Sequence, residues 1–153
     1  MKFTVYGEPC GKGRPRFRQN GMPYTPQKTL DYEELIKTEY MIQVREKPFP
    51  KDVCLAITIN AYMAYPQNTA KWKLPLIFKN LIRPTKKPDW DNIGKIVTDA
   101  LNKVAYHDDA QIVSGTVNKY YSSEPRTEIE ITLAKSFCFE ITKAKVEMCI
   151  KTK

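Results

Sequence analysis

The sequence is poor in the residues that hold zinc. It has a single histidine, and its four cysteines are spread along 153 residues without any CxxC pair: Cys10, Cys54, Cys138 and Cys149. Structural zinc sites need about four cysteine or histidine ligands at short spacings. His107 cannot complete such a set, so the sequence excludes a usual zinc site.

Long apolar stretches are also absent. The chain contains no apolar run of about 18 residues, the length that a membrane-spanning helix requires. Residues 2–6, Lys-Phe-Thr-Val-Tyr, lack the apolar stretch and the cleavage site of a secretory signal. We therefore expect no membrane association and a cytoplasmic location. The length is that of one ordinary domain.

Acidic residues are missing from two long stretches, 9–30 and 64–88. These stretches carry eleven of the 25 lysines and arginines, and the formal net charge is +8. Five aspartates then fall within residues 89–109. A basic surface binds a polyanion, and carboxylates gathered beside it indicate a metal that acts on that polyanion.

The apolar pattern predicts an α+β fold, in which a mixed or antiparallel sheet packs with two main helices in a single compact domain. The strongest helix signal is the repeat Ile93, Ile96, Val97, Ala100, Leu101 and Val104, and the strongest strand signal is the alternation over 53–63. The other predicted elements are a strand over 2–7, an exposed loop over 8–26, a helix over 29–45 capped by Thr29, a short helix near 70–80, and an antiparallel hairpin of 111–121 with 127–133.

The aspartates flank the most secure helix. If residues 89–91 are extended, the carboxylates of Asp89 and Asp91 face one site while Trp90 points away. Two such carboxylates repel unless a cation lies between them, and Mg²⁺ prefers these ligands. Asp108 and Asp109 follow the far end of a helix about 18 Å long, so they can join that site only if the chain folds back.

Structural explanations of the same residues stay open. Asp91 is a good helix N-cap, and Asp108 with Asp109 suits a turn. Lys95 lies four residues from both Asp91 and Asp99, so a surface ion-pair ladder explains it as well as stabilisation of a phosphate does.

Four motifs in order resemble the RusA family of Holliday junction resolvases, of phage and Gram-positive type. They are Lys87-Pro88-Asp89-Trp90-Asp91-Asn92, then Lys95, then Asp99-Ala100-Leu101-Asn102, then Asp108-Asp109-Ala110-Gln111. The segments Gly11-Lys12-Gly13-Arg14-Pro15-Arg16 and Tyr24-Thr25-Pro26 are also similar. The likeness covers most of residues 1–134, and 135–153 extends the same domain beyond it.

The resemblance implies a Mg²⁺-dependent endodeoxyribonuclease, with Mn²⁺ as the other candidate cation and no nucleotide cofactor. Asp89, Asp91 and Asp109 become the catalytic metal ligands, Asp108 an additional candidate ligand, and Lys95 the nearby base or charge stabiliser. A homodimer that makes paired nicks in a four-way DNA junction is implied as well.

The basic segments supply the expected DNA contacts. We expect the backbone of branched DNA to meet Lys12, Arg14, Arg16, Lys86 and Lys87. Phe17 is a candidate to stack on bases at the branch point, and packing within its loop explains it equally well. A non-catalytic DNA-binding protein and a nuclease for flaps, forks or duplex DNA remain the alternatives.

Overall fold

The computed structural model describes residues 1–18 and 21–134. In chain order the elements are β1 (Lys2–Tyr6), β2 (Arg16–Phe17), β3 (Pro23–Tyr24), α1 (Gln27–Gln43), β4 (Leu55–Ala64), α2 (Leu74–Phe78), α3 (Trp90–Leu101), β5 (Ile112–Ser122) and β6 (Arg126–Leu133). Short 3-10 turns, Lys71–Lys73 and Asp109–Gln111, precede α2 and β5. Within these ranges no helix has both the length and the apolarity needed to span a membrane.

The main sheet has four strands in the order β1-β6-β4-β5. β4 pairs antiparallel with β6 and parallel with β5, and β6 also pairs antiparallel with β1. One face of the sheet packs against α1 and α3, which confirms the predicted α+β fold with a mixed sheet and two main helices.

The predicted hairpin of β5 with β6 is wrong, although both strands exist. β4 lies between them and pairs with each on one side. Residues 123–125 are long enough to connect β5 to β6 past the end of β4, because three extended residues reach about 10 Å. The strand pattern therefore identified both strands but not their partner.

The core is built mainly from apolar side chains of two helices and three strands, α1, α3, β1, β4 and β6. Alternate residues of β4 are buried, including Leu55, Ile57 and Ile59, and the inward side of α3 contributes Ile96 and Val97. The odd positions from Leu55 to Met63 and the repeat from Ile93 to Leu101 are thus confirmed as core positions, whereas Val53 and Val104 lie outside β4 and α3 and are only partly buried. This packing fixes the direction of α3 relative to the sheet, which decides where its two ends lie.

α1 begins two residues earlier than predicted, and Thr29 does not cap it. The N-cap is Pro26, which makes no side-chain cap hydrogen bond. Thr29 is buried, and its hydroxyl accepts a hydrogen bond from the backbone N–H of Gly13 at 3.2 Å. Through this hydrogen bond Thr29 instead links the N-terminal loop to α1.

That loop, predicted to be irregular over 8–26, contains the small antiparallel pair of β2 with β3. The C-terminal extension over 135–153 lies outside the described residues.

Candidate functional site

Two predicted catalytic acids lie at the first turn of α3. Asp89 is the N-cap, with extended backbone at φ −70° and ψ 151°, and Asp91 is in the first helical turn. The extended conformation predicted for 89–91 is wrong beyond Asp89, because the helix begins at Trp90. Both carboxylates are exposed on a helix end that favours negative charge.

Helix capping does not account for these acids. Asp91 is not the N-cap, and the side chain of Asp89 makes no cap hydrogen bond. Within the described residues neither carboxylate has a salt bridge. Two exposed carboxylates therefore lie two residues apart at the start of the helix, without a salt bridge or a cap hydrogen bond in the described part of the chain.

The glycine-rich loop packs against this helix end. The backbone N–H of Lys12 donates to the carbonyl oxygen of Asn92 at 2.8 Å. A Cβ on Gly11 would lie 2.7 Å from the Cβ of Pro88 and 3.1 Å from that of Asn92. Only glycine permits so close an approach, so the loop and the start of α3 form one unit.

An open cleft of about 680 Å³ lies between the loop and the start of α3. Asp89 and Lys87 line one side, and Arg14 and Lys28 belong to the loop side and to the first turn of α1. Among the described residues none of these three cations has a salt bridge with an acid. The lining also includes the acids Asp89 and Glu8, so basic side chains outnumber carboxylates around this cleft.

Lys12 also lines the cleft, but its ammonium group is engaged by the chain itself. It pairs with Glu33 at 2.5 Å and with Asp99 at 2.7 Å. Partial burial lowers the pKa of Lys12, but hydrogen bonds to Asp99 and Glu33 outweigh this effect and leave the pKa raised. Lys12 therefore ties the loop to α1 and α3, and its charge is already balanced.

The predicted ion-pair ladder along α3 does not form. Asp99 pairs with Lys12, whereas Lys95 is exposed and has no salt bridge within the described ranges. Lys95 lies one turn beyond Asp91 on the same side of the helix. In the described part of the chain its ammonium group is therefore available to bind an anionic ligand.

The other acids follow the far end of α3. Asp108 caps the turn Asp109–Gln111: its Oδ1 accepts from the backbone N–H of Ala110 at 2.9 Å, and it forms a capping box with Gln111. The turn predicted for Asp108 is confirmed. Asp109 is exposed and makes no such bond.

The buried Tyr106 marks where Asp109 lies. Its hydroxyl donates to the carbonyl oxygen of Thr98 at 2.8 Å. Burial raises the pKa of Tyr106, and the negative charges of Asp109 and Asp99 raise it further. Asp109 is thus near the C-terminal half of α3.

The two acidic ends are separated in one chain. α3 lies against β5: near the start of the helix, a Cβ on Gly94 would lie 3.3 Å from the side chain of Val117. The ends of such a helix lie about 18 Å apart. No group of three acidic, histidine or cysteine side chains able to hold a metal occurs in the described part of the chain. The fold-back needed to join Asp89 and Asp91 with Asp109 is therefore not made within one subunit.

Two of the remaining predicted DNA contacts, Phe17 and Lys86, lie outside the cleft. Phe17 is 72% exposed in the β2–β3 pair. Lys86 is exposed, and its carbonyl oxygen accepts from the ammonium group of Lys119 at 2.5 Å. Arg16 is in β2. The sequence interpretation did not single out Lys28, which only the packing of α1 against the loop brings into the cleft.

Known proteins resemble this chain over most of its length. The family model described as "Endodeoxyribonuclease RusA" matches residues 6–132. An uncharacterised Bacillus subtilis protein, YqaN, is 38% identical over 86% of this chain and 94% of its own length. A protein of Lactococcus phage r1t, described as a crossover junction endodeoxyribonuclease, is 31% identical over 63% of this chain and 68% of its own length.

Proposed function

The chain belongs to the RusA family of endodeoxyribonucleases, and from this premise we propose that it resolves four-way DNA junctions by Mg²⁺-dependent phosphodiester hydrolysis. It would act in DNA recombination and repair as a homodimer that makes paired nicks. The observation that carries the proposal is the pair of exposed carboxylates of Asp89 and Asp91 beside a cleft lined by Arg14, Lys28 and Lys87, none of which forms a salt bridge in the part of the chain that the structure describes.

The chemistry of these side chains fits a hard divalent cation. Mg²⁺ and Mn²⁺ take carboxylate oxygens, and within residues 1–18 and 21–134 the carboxylates of Asp89 and Asp91 make no salt bridge and no cap hydrogen bond. We assign the cation to these two acids together with Asp109 of the partner subunit. Bound there, it would supply Lewis acidity and a water of lowered pKa. Asp108 serves the turn and is left out of the set.

A symmetric dimer explains why the acids lie at opposite ends of one helix. A two-fold axis that brings the start of one α3 to the end of the other creates two equivalent sites at once. A four-way junction is itself nearly two-fold symmetric, and its resolution needs two cuts. The absence of a three-acid group within the described part of one chain supports a site shared between two subunits.

The basic side chains position the DNA. Arg14, Lys28 and Lys87 bind the phosphate backbone in the cleft, and affinity falls steeply with added salt because counterions are released. Lys95, one turn from Asp91, stabilises the negative charge that develops on the phosphate during cleavage.

The first experiment offers the protein a synthetic four-way junction, a fork, a flap and a linear duplex, with Mg²⁺, with Mn²⁺ and with a chelator. We expect paired nicks in the junction that require the cation, and an Asp91→Asn variant that still binds but does not cut. Full cutting by this variant would remove Asp91 from the site. Equal cutting of all four substrates would contradict junction selectivity.

The second experiment mixes two inactive variants, Asp91→Asn and Asp109→Asn. If each site combines acids from both subunits, a mixed dimer has one intact site and one doubly altered site, so about a quarter of the wild-type sites return. The mixture should then give single nicks rather than paired ones. A mixture as inactive as its components would show that each site uses one chain alone.

A further inference from the structure

Trp90 is exposed where the pattern of its helix predicts burial. It precedes Ile93 by three residues and therefore falls on the apolar side of α3, where Ile93 and Val97 are almost wholly buried. Yet the Trp90 side chain is 64% exposed. The apolar stripe of the helix thus continues for one turn past the core, into solvent.

The surroundings of this indole are charged. Its two neighbours in sequence are Asp89 and Asp91, and the exposed Lys86 and Lys87 precede it by a few residues. Within the described residues Trp90 has no aromatic or cation–π partner. The other tryptophan, Trp72, has the ammonium group of Lys73 at 5.3 Å from its ring centre. Among the described residues Trp90 thus differs from Trp72, because no cation lies over its ring.

We propose that Trp90 is a base-stacking residue that sets the position of the DNA strand at the cut. This inference rests on the proposed function, because it places the scissile phosphate at the acids on either side of the indole. Every nucleobase offers a flat apolar face, and stacking on an exposed aromatic ring tolerates many sequences. The cations at 86 and 87 hold the backbone while the ring holds a base next to it.

A nucleobase suits this position better than a second copy of the chain. The proposed dimer brings the partner's Asp109 to these carboxylates through a cation, whereas an apolar patch of the partner packed over the indole would bury Asp89 and Asp91 away from the cation and the DNA, which is strongly unfavourable. A base stacks through its ring and leaves those carboxylates beside its own phosphate. The contribution to affinity is about 5- to 150-fold, the range measured for stacked bases.

Fluorescence gives a direct readout, because the chain has two tryptophans. In a Trp72→Phe background all indole emission comes from Trp90. With a chelator present, so that the DNA stays whole, we expect a four-way junction to quench this emission in parallel with binding followed by gel shift. Unchanged emission while the junction binds, or no binding at all, would overturn the inference. So would a change that follows protein concentration without DNA, because a second copy would then cover the ring.

Three substitutions separate stacking from simple apolar contact. Trp90→Phe should keep most of the affinity, whereas Trp90→Leu and Trp90→Ala should each lose about tenfold, and the cut position should become less uniform. If leucine replaces tryptophan as well as phenylalanine does, stacking is not the interaction. A protein whose Trp90 responds to the junction but which never cuts would sink the proposed function alone, and a protein that cuts without that response would sink this inference alone.

Discussion

The two ends of α3 carry the same kind of residue in opposite situations. At the start, Asp89 and Asp91 make no side-chain hydrogen bond with the helix and face solvent. After the end, Asp108 is held in a capping box while Asp109 beside it is exposed. Residue type alone does not separate these roles. The hydrogen-bond partners do, because an acid whose oxygens are already used by backbone N–H groups has less to offer a cation.

The different roles of Asp108 and Asp109 can be tested by changing the two acids separately. Asp109→Asn should lower the cleavage rate more than about a hundredfold, since the loss of a cation ligand costs several kcal/mol in the transition state. Asp108→Asn keeps an oxygen acceptor for the backbone of Ala110 and should cut within about threefold of wild type. Single-turnover cleavage of a junction measures both. Equal losses would show that the capping box does not distinguish them.

Within the capping box, Gln111 should contribute more to the free energy of unfolding than Asp108 does. The amide of Gln111 accepts from the backbone of His107 and of Asp108, and it donates to the carbonyl oxygens of Pro50 and Val53 at 2.7 and 3.2 Å. Gln111→Ala removes four hydrogen bonds and should lower the free energy of unfolding by about 2–4 kcal/mol in urea titration.

Gln27→Ala is the matched control for that variant. Among the described residues, the amide of Gln27 donates only to Asp31, in an exposed pair. If Gln27→Ala lowers the free energy of unfolding by more than about 0.5 kcal/mol, or if Gln111→Ala does not lower it, the capping box does not have the stabilising role described here.

At the other end of α3, close packing of the loop can be tested by adding one methyl group. Gly11→Ala places a Cβ 2.7 Å from the Cβ of Pro88, and overpacking of this kind costs about 1–3 kcal/mol. Gly115→Ala, whose new Cβ would meet the Ile57 side chain at an ordinary 3.7 Å, is the control. Urea titration should rank the two in that order, and junction cleavage should fall with the first only.

The smallest effect concerns Lys12. Lys12→Met removes an ammonium group that is about a quarter exposed between two acids, and we expect a loss of about 1–2 kcal/mol after allowance for solvent screening. Because the folded-state pKa is raised, the stabilisation is fully present below the ordinary value of 10.5 and disappears as pH rises through the higher folded value.

The difference in unfolding free energy between wild type and Lys12→Met should therefore be flat from pH 7 to about pH 10 and shrink above that range. Thermal unfolding at a series of pH values measures it. A difference that shrinks near neutral pH would contradict the ion-pair role. A loss of junction affinity as large as that of Arg14→Ala would return Lys12 to the DNA-binding set.

Local patterns predicted the elements with strong periodicity. The stripe that includes Ile93 and Ile96 gave α3, and alternation gave β4, because each signal lies within one segment. Strand partners failed, because a short connection between β5 and β6 suits a hairpin as well as it suits two strands on either side of β4. The capping prediction at Thr29 failed because α1 has no clean apolar face and Thr29 is used by Gly13.

The candidate acids and cations of the site were also predicted from sequence, but their arrangement was not. Clustered aspartates near basic stretches indicated cation and phosphate chemistry without any fold. The partners of Lys12 are 21 and 87 residues away, and no pattern within one segment reports such contacts. The direction of α3 over the sheet likewise decided that Asp89 and Asp109 lie far apart.

The core packing of α3 fixes the spacing between the two ends of the helix. One inserted residue would advance the start of the helix by about 1.5 Å and rotate it by about 100° relative to its end. The buried stripe through Ile93 and Val97 would then lose its register with the sheet. The distance between the acidic ends can therefore change only in whole helical turns, so insertions and deletions between residues 90 and 101 should be far less tolerated than single substitutions on the solvent side.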